Sequence, residues 1–134
     1  MPKSTKEKEL LIITEDKVGM LEEVTGTIAQ VKVNFVALCA YAMEGTARFL
    51  MVTSDNRKAK QAAEAKGWKT EEHDVVVVEI HNQVGAGHEI AKKLKDKNIN
   101  IHYCYGSTSL TLTKIPCALV IKTDDADATL TALE

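Results

Sequence analysis

An internal repeat constrains this chain more than any other feature. Displaced by 66 positions, the sequence falls on itself without a gap. Leu10-Leu11-Ile12 meets Val76-Val77-Val78, Asp16-Lys17-Val18-Gly19 meets Asn82-Gln83-Val84-Gly85, and Val33-Asn34-Phe35 meets Ile99-Asn100-Ile101. Further on the displacement becomes 69, so that Leu50-Met51-Val52 meets Leu119-Val120-Ile121 and Asp55 meets Asp124. The three additional residues fall between Gly106 and Thr113, where a hairpin loop absorbs them at little entropic cost. Two copies of one module are expected.

Each copy spells the same elements. Glu9–Thr14 and Val75–Ile80 are short β-branched runs and read as strands. Met20, Leu21, Val24, Ile28 and Val31 then recur at helical spacing, as do Ala86, Ile90, Ala91 and Leu94. Val33–Tyr41 and Ile99–Tyr105 predict second strands, and Arg48–Thr53 and Ala118–Lys122 third strands. Glu44-Gly45-Thr46 supplies the turn in the first copy. Asp55 and Asp124 are natural N-caps for a second helix, and Gly67 ends the first of these. Trp68–Glu72 predicts a fourth strand. The order is β-α-β-β-α-β, an α+β ferredoxin-like arrangement, with modules at residues 8–73 and 74–134. The second copy lacks its last strand, so seven strands and one bare sheet edge are expected.

Composition narrows the function. The chain is 45% hydrophobic and 27% charged, the balance of a folded globular protein. Seventeen basic and nineteen acidic residues give a net charge of -2, against the basic footprint of a nucleic-acid binder. The longest apolar run, Val36 to Met43, is far too short for a membrane span, and Met1 to Glu9 has no apolar signal core. Cys39, Cys104 and Cys117 form no Cys-x-x-Cys and read as buried thiols in a reducing, cytoplasmic setting.

The conspicuous element is the turn from the first strand into the first helix, Asp16-Lys17-Val18-Gly19-Met20 and Asn82-Gln83-Val84-Gly85-Ala86. A Gly there lets a ligand approach, and N–H groups at a helix start suit a carboxylate. Eighteen residues after the first position of each turn comes Asn34 or Asn100, whose amide offers a donor and an acceptor together. The plain structural reading makes Asp16 and Asn82 N-caps, and Asn34 and Asn100 turn residues.

The D/N-x-x-G turn with V/I-N-F/I opening the second strand, in duplicate, resembles an ACT domain, and residues 8 to 134 resemble the small tandem-ACT proteins of bacteria. The resemblance implies non-catalytic, allosteric regulation through a bound amino acid at an interface between ACT modules, with no cofactor and no metal. In the serine-sensing ACT module of phosphoglycerate dehydrogenase one Asn lies in the loop and another begins strand two. Asn82 and Asn100 match both; Asp16 and Asn34 stand at these places in the first copy. The family's usual Pro is Val18 and Val84 here, and its sensing His is Ile80. The site expectation favours Asn82 to Ala86 with Asn100, because the first-copy loop carries the fixed charge of Asp16. A homodimer is expected, since modules this small leave apolar surface uncovered. No partner enzyme, nucleic acid or membrane is indicated.

Three other functional classes compete with this reading. Ferredoxin-like acylphosphatases need an Arg in the first loop, but Arg48 and Arg57 lie elsewhere, and no nucleophile–base constellation is visible. His81, His88, His102 and Cys104 offer ligand types for a nickel-type sensor, without a standard spacing. A module that only assembles is the third, with Tyr41, Tyr103 and Tyr105 as interface candidates.

Overall fold

The computed structural model describes residues 3–81, 83–107 and 116–134. Among these the order is β1 (Lys3–Glu15), α1 (Met20–Gln30), β2 (Phe35–Met43), β3 (Thr46–Thr53), α2 (Asn56–Ala65), β4 (Lys69–His81), α3 (Ala86–Asp96), β5 (Ile101–Ser107), β6 (Pro116–Thr123) and α4 (Ala126–Ala132). The chain divides into two compact units: Lys8–His73, and Asp74–Glu134 together with residues 3–7.

In the first unit the strand order is β2-β3-β1-β4, with β3 antiparallel to both neighbours. Leu10, Ile12, Phe49 and Met51 share one buried cluster with Met20, Val24 and Ile28 of α1 and Ala59 and Ala63 of α2. Burial of each large aliphatic side chain stabilises by about 1.5–3 kcal/mol. Leu21 departs from the expected stripe: it is 53% exposed, one position off the inward face.

The second unit has the order β1-β4-β6-β5, with residues 3–7 supplying its share of β1. Val76, Val78, Ile121, Ile90 and Leu94 form its core. Ala91, expected on the inner face of this helix, is exposed.

Two sequence expectations need correction. There are six strands among the described residues, not seven, because Trp68–Glu72 and Val75–Ile80 belong largely to one strand, β4. No Gly or Pro interrupts Thr70-Glu71-Glu72-His73-Asp74, so nothing ends the strand there. The edge expected to be bare is occupied by residues 3–7, and Lys6 reaches Asp127 at 3.2 Å.

The displacement of 69 is also corrected. Glu15 pairs with Thr46 and its counterpart His81 with Pro116, so β3 and β6 are displaced by 70. Asp125, not Asp124, therefore matches Asp55: each accepts a hydrogen bond from the backbone N–H three residues on, Ala128 at 3.0 Å and Lys58 at 3.1 Å. Asp124 instead contacts His102 at 2.5 Å. β5 runs through Gly106, so the expected loop begins later than Gly106; residues 108–115 lie outside the described residues.

Three helices close with the same hydrogen-bond pair. Lys32, Gly67 and Asn98 donate to Ala29, Glu64 and Lys95, while Val33, Trp68 and Ile99 donate to Ile28, Ala63 and Leu94. This is the Schellman arrangement, which needs a left-handed residue after the cap. Gly67 takes it readily, whereas Lys32 and Asn98 hold φ 59 and 58.

Candidate functional site

The two candidate loops have one backbone shape. Gly19 (φ 91, ψ 0) and Gly85 (φ 85, ψ −4) are the N-caps of α1 and α3, and neither helix receives a side-chain cap hydrogen bond. Asp16 is thus not the cap of α1, and Asn82 lies outside the described residues. Met20 and Ala86 donate their N–H groups back to Lys17 and Gln83 at 3.3 and 3.2 Å, closing each turn. A Cβ on either Gly would meet nothing within 4 Å, so the left-handed backbone alone accounts for glycine here.

Side chains divide sharply at the loops. Val18 and Val84, 102% and 105% exposed, project into solvent, while Met20 is buried in the first core. Met20 can therefore offer a ligand only backbone. Ala86 packs against the second core. Lys17 lies 3.3 Å from Glu15 and 4.0 Å from Glu23, and the first turn of α1 carries Glu22 and Glu23. The first turn of α3 carries Glu89 alone. The second loop is the less negative of the two, and the better place for an anion.

Loop and asparagine do not meet within a module. Loop one follows Glu15, level with Thr46 and Met43, whereas Asn34 precedes Phe35, level with Thr53. Seven strand residues, roughly 23 Å, lie between those levels. The second unit repeats this, with His81 at Pro116 and Ile101 at Thr123. Asn100 and the Gln83–Ala86 turn of its own unit therefore stand at opposite ends of the strands. Asn34 is exposed; its N–H donates to Ser54 Oγ at 3.0 Å and its carbonyl accepts from Ser54 N–H at 2.9 Å. Asn100 is also exposed.

Among the described residues no three His, Cys, Asp or Glu side chains converge to hold a metal ion. Cys117 is buried, Cys39 half-buried and Cys104 exposed, so only one of the three thiols is buried as expected. Tyr103 and Tyr105 stack with ring centroids 6.4 Å apart. Sequence reasoning missed Glu9, a fully buried carboxylate contacted by His73. A charged residue at the head of an apolar strand was its only signal.

A ferredoxin-like βαββαβ unit and a βαββα unit completed by residues 3–7, each with a glycine-capped turn opening its first helix, make a tandem pair of one module. The chain belongs to the ACT domain pair family, which matches residues 6–133. It is similar to protein BT0572 from Bacteroides thetaiotaomicron, with 26% identity, TM-score 0.85, and 97% of this chain and 88% of that one covered. The fold is also that of the regulatory subunit of aspartate kinase from Thermus thermophilus in its ligand-free form, at 14% identity and TM-score 0.70, covering 97% of this chain and 93% of that one. The aspartokinase alpha and beta subunits share it at 18% identity and TM-score 0.68, covering 98% and 93%. Among curated proteins none matches. No helix among the described residues is long and apolar enough to cross a membrane.

Proposed function

We propose that this protein is a non-catalytic regulatory module that binds a free amino acid between ACT modules of two copies of the chain. The observation that carries this reading is the separation of each loop from its asparagine. A ligand needing both a helix-start N–H group and an asparagine amide must draw them from two modules, which a homodimer would supply. The Gln83–Ala86 turn, with Asn82, would take the carboxylate, and Asn100 of the partner subunit the ammonium group. The Lys17–Met20 turn, with Asp16 and Asn34, is the more acidic and weaker counterpart. Kinship with regulatory subunits of aspartate kinase supports a regulatory role.

Thermal unfolding across the twenty amino acids tests this, because a ligand that prefers the native state raises the midpoint. One amino acid should raise it. Asn100→Ala should weaken its binding by roughly ten- to a hundred-fold, and Asn34→Ala by less. Light scattering should show a dimer at tens of micromolar. No response to any amino acid, or a monomer that binds with full affinity, overturns the reading. A calorimetric nickel titration tests the metal-sensor alternative through His102.

A further inference from the structure

We propose a second, independent site: the helix-free sheet face of the first unit binds a small organic carboxylate with an apolar body through the guanidinium of Arg48. Arg48 stands on β3 directly opposite Ile13 of β1 and Tyr41 of β2, so the three side chains share one face. Its strand neighbours Ala47 and Phe49 point the other way, into the core against the helices. Arg48 is only half-exposed, and its Nε is buried without a hydrogen-bond acceptor. Among the described residues no carboxylate pairs with it. The nearby Glu15, two residues past Ile13, is engaged by Lys17 at 3.3 Å.

A buried donor without an acceptor is costly, and the acceptor that best fits Nε together with one terminal N–H is a carboxylate, held side-on by two parallel bonds. Leu11 and Leu50, beside Ile13 and Arg48 on this face, are buried, so the apolar surface open to a ligand is that of the edge strand. Tyr41 and Met43 of the edge strand β2 are 43% and 44% exposed, among the few large hydrophobic side chains left open. The repeat shows that the fold does not require this cation. Glu79 pairs with Ala118 where Ile13 pairs with Arg48, so the second unit builds the same sheet with a methyl group at this place.

The chain holds only two arginines, Arg48 and Arg57, so their Nε–H signals in a proton–nitrogen spectrum are resolved and assigned with Arg57→Lys. The probe is 3-phenylpropionate, with 3-phenylpropanol as its uncharged control and equal sodium chloride in both. The Arg48 Nε–H signal should shift and saturate, with the Ile13 and Tyr41 amides, while Arg57 stays still. The acid should bind about tenfold tighter than the alcohol, a difference that Arg48→Gln removes. Equal movement of both arginines, no movement of Arg48 at millimolar acid, or equal affinity for acid and alcohol overturns the proposal. The wild-type spectra decide it even if the variant is poorly folded. Amino-acid binding that depends on Asn100 would survive Arg48→Gln, so this proposal and the loop reading fail separately.

Discussion

His73 sets its Nδ1 3.4 Å from Oε1 of Glu9, a carboxylate with no exposed surface, and its Nε2 3.1 Å from Oε1 of Glu71. One ring thus serves a buried and an exposed acid on neighbouring strands of the first unit. A buried carboxylate that loses a hydrogen-bond partner keeps its desolvation cost and loses part of the compensation. His73→Ala should destabilise the protein by about 1–2 kcal/mol, and His73→Gln, which retains a donor, by less. Urea unfolding measures this as a lower midpoint at unchanged slope. An unchanged midpoint would show that Glu9 is satisfied without the ring.

Two left-handed positions should respond with opposite signs. Gly85 holds φ 85 with open space around it, so Gly85→Ala adds conformational strain and no clash, at about 1–2 kcal/mol. Lys32 already bears such strain at φ 59, and Lys32→Gly should stabilise by up to about 1 kcal/mol. Parallel thermal melts check both. A shift of the same sign in the two variants would contradict the assigned backbone.

The cap assignment separates two adjacent aspartates. Asp125→Ala should cost about 1 kcal/mol, because it removes the acceptor for Ala128 N–H at the start of α4. Asp124→Ala removes only an exposed contact with His102 and should change stability by less than about 0.5 kcal/mol. If Asp124 proved the costlier loss, the displacement of 70 would be wrong.

Gly106 lies against Leu119, its cross-strand partner. A Cβ there would come 2.5 Å from Leu119 Cδ2 and 3.0 Å from the Ala118 carbonyl oxygen. The leucine tip can swing away but the carbonyl cannot, so Gly106→Val should cost about 1–3 kcal/mol and Gly106→Ala less. Denaturant midpoints of the two variants give the order.

The module was legible because the repeat and the helical spacing of Val24 and Ile28 are consequences of burial, which leaves a periodic trace. The loop glycines were legible too, since a left-handed cap selects glycine strongly. Other features leave no such trace. Asp124 and Asp125 are chemically identical neighbours, and only the ladder through Thr123 decides between them. The two ends of a module are joined by a helix that looks the same from either side, so eighteen residues of spacing did not reveal that Asn100 and its loop lie far apart. Nothing in the sequence singled out the Arg48 side chain, because a missing acceptor leaves no trace there.

Residues 3–7 are the first of the described chain to leave the ribosome, yet their places lie in a sheet whose other strands are made last. Lys8–His73 has its four strands once residue 73 has emerged and can begin folding during translation. The second unit must wait for Pro116–Thr123 and then recruit a segment made more than a hundred residues earlier. An N-terminal tag or a short N-terminal deletion therefore acts on the last unit to be completed. Residues 74–134 expressed alone should leave the sheet open, whereas residues 3–7 moved to follow Glu134 through a flexible linker should let that unit close by itself.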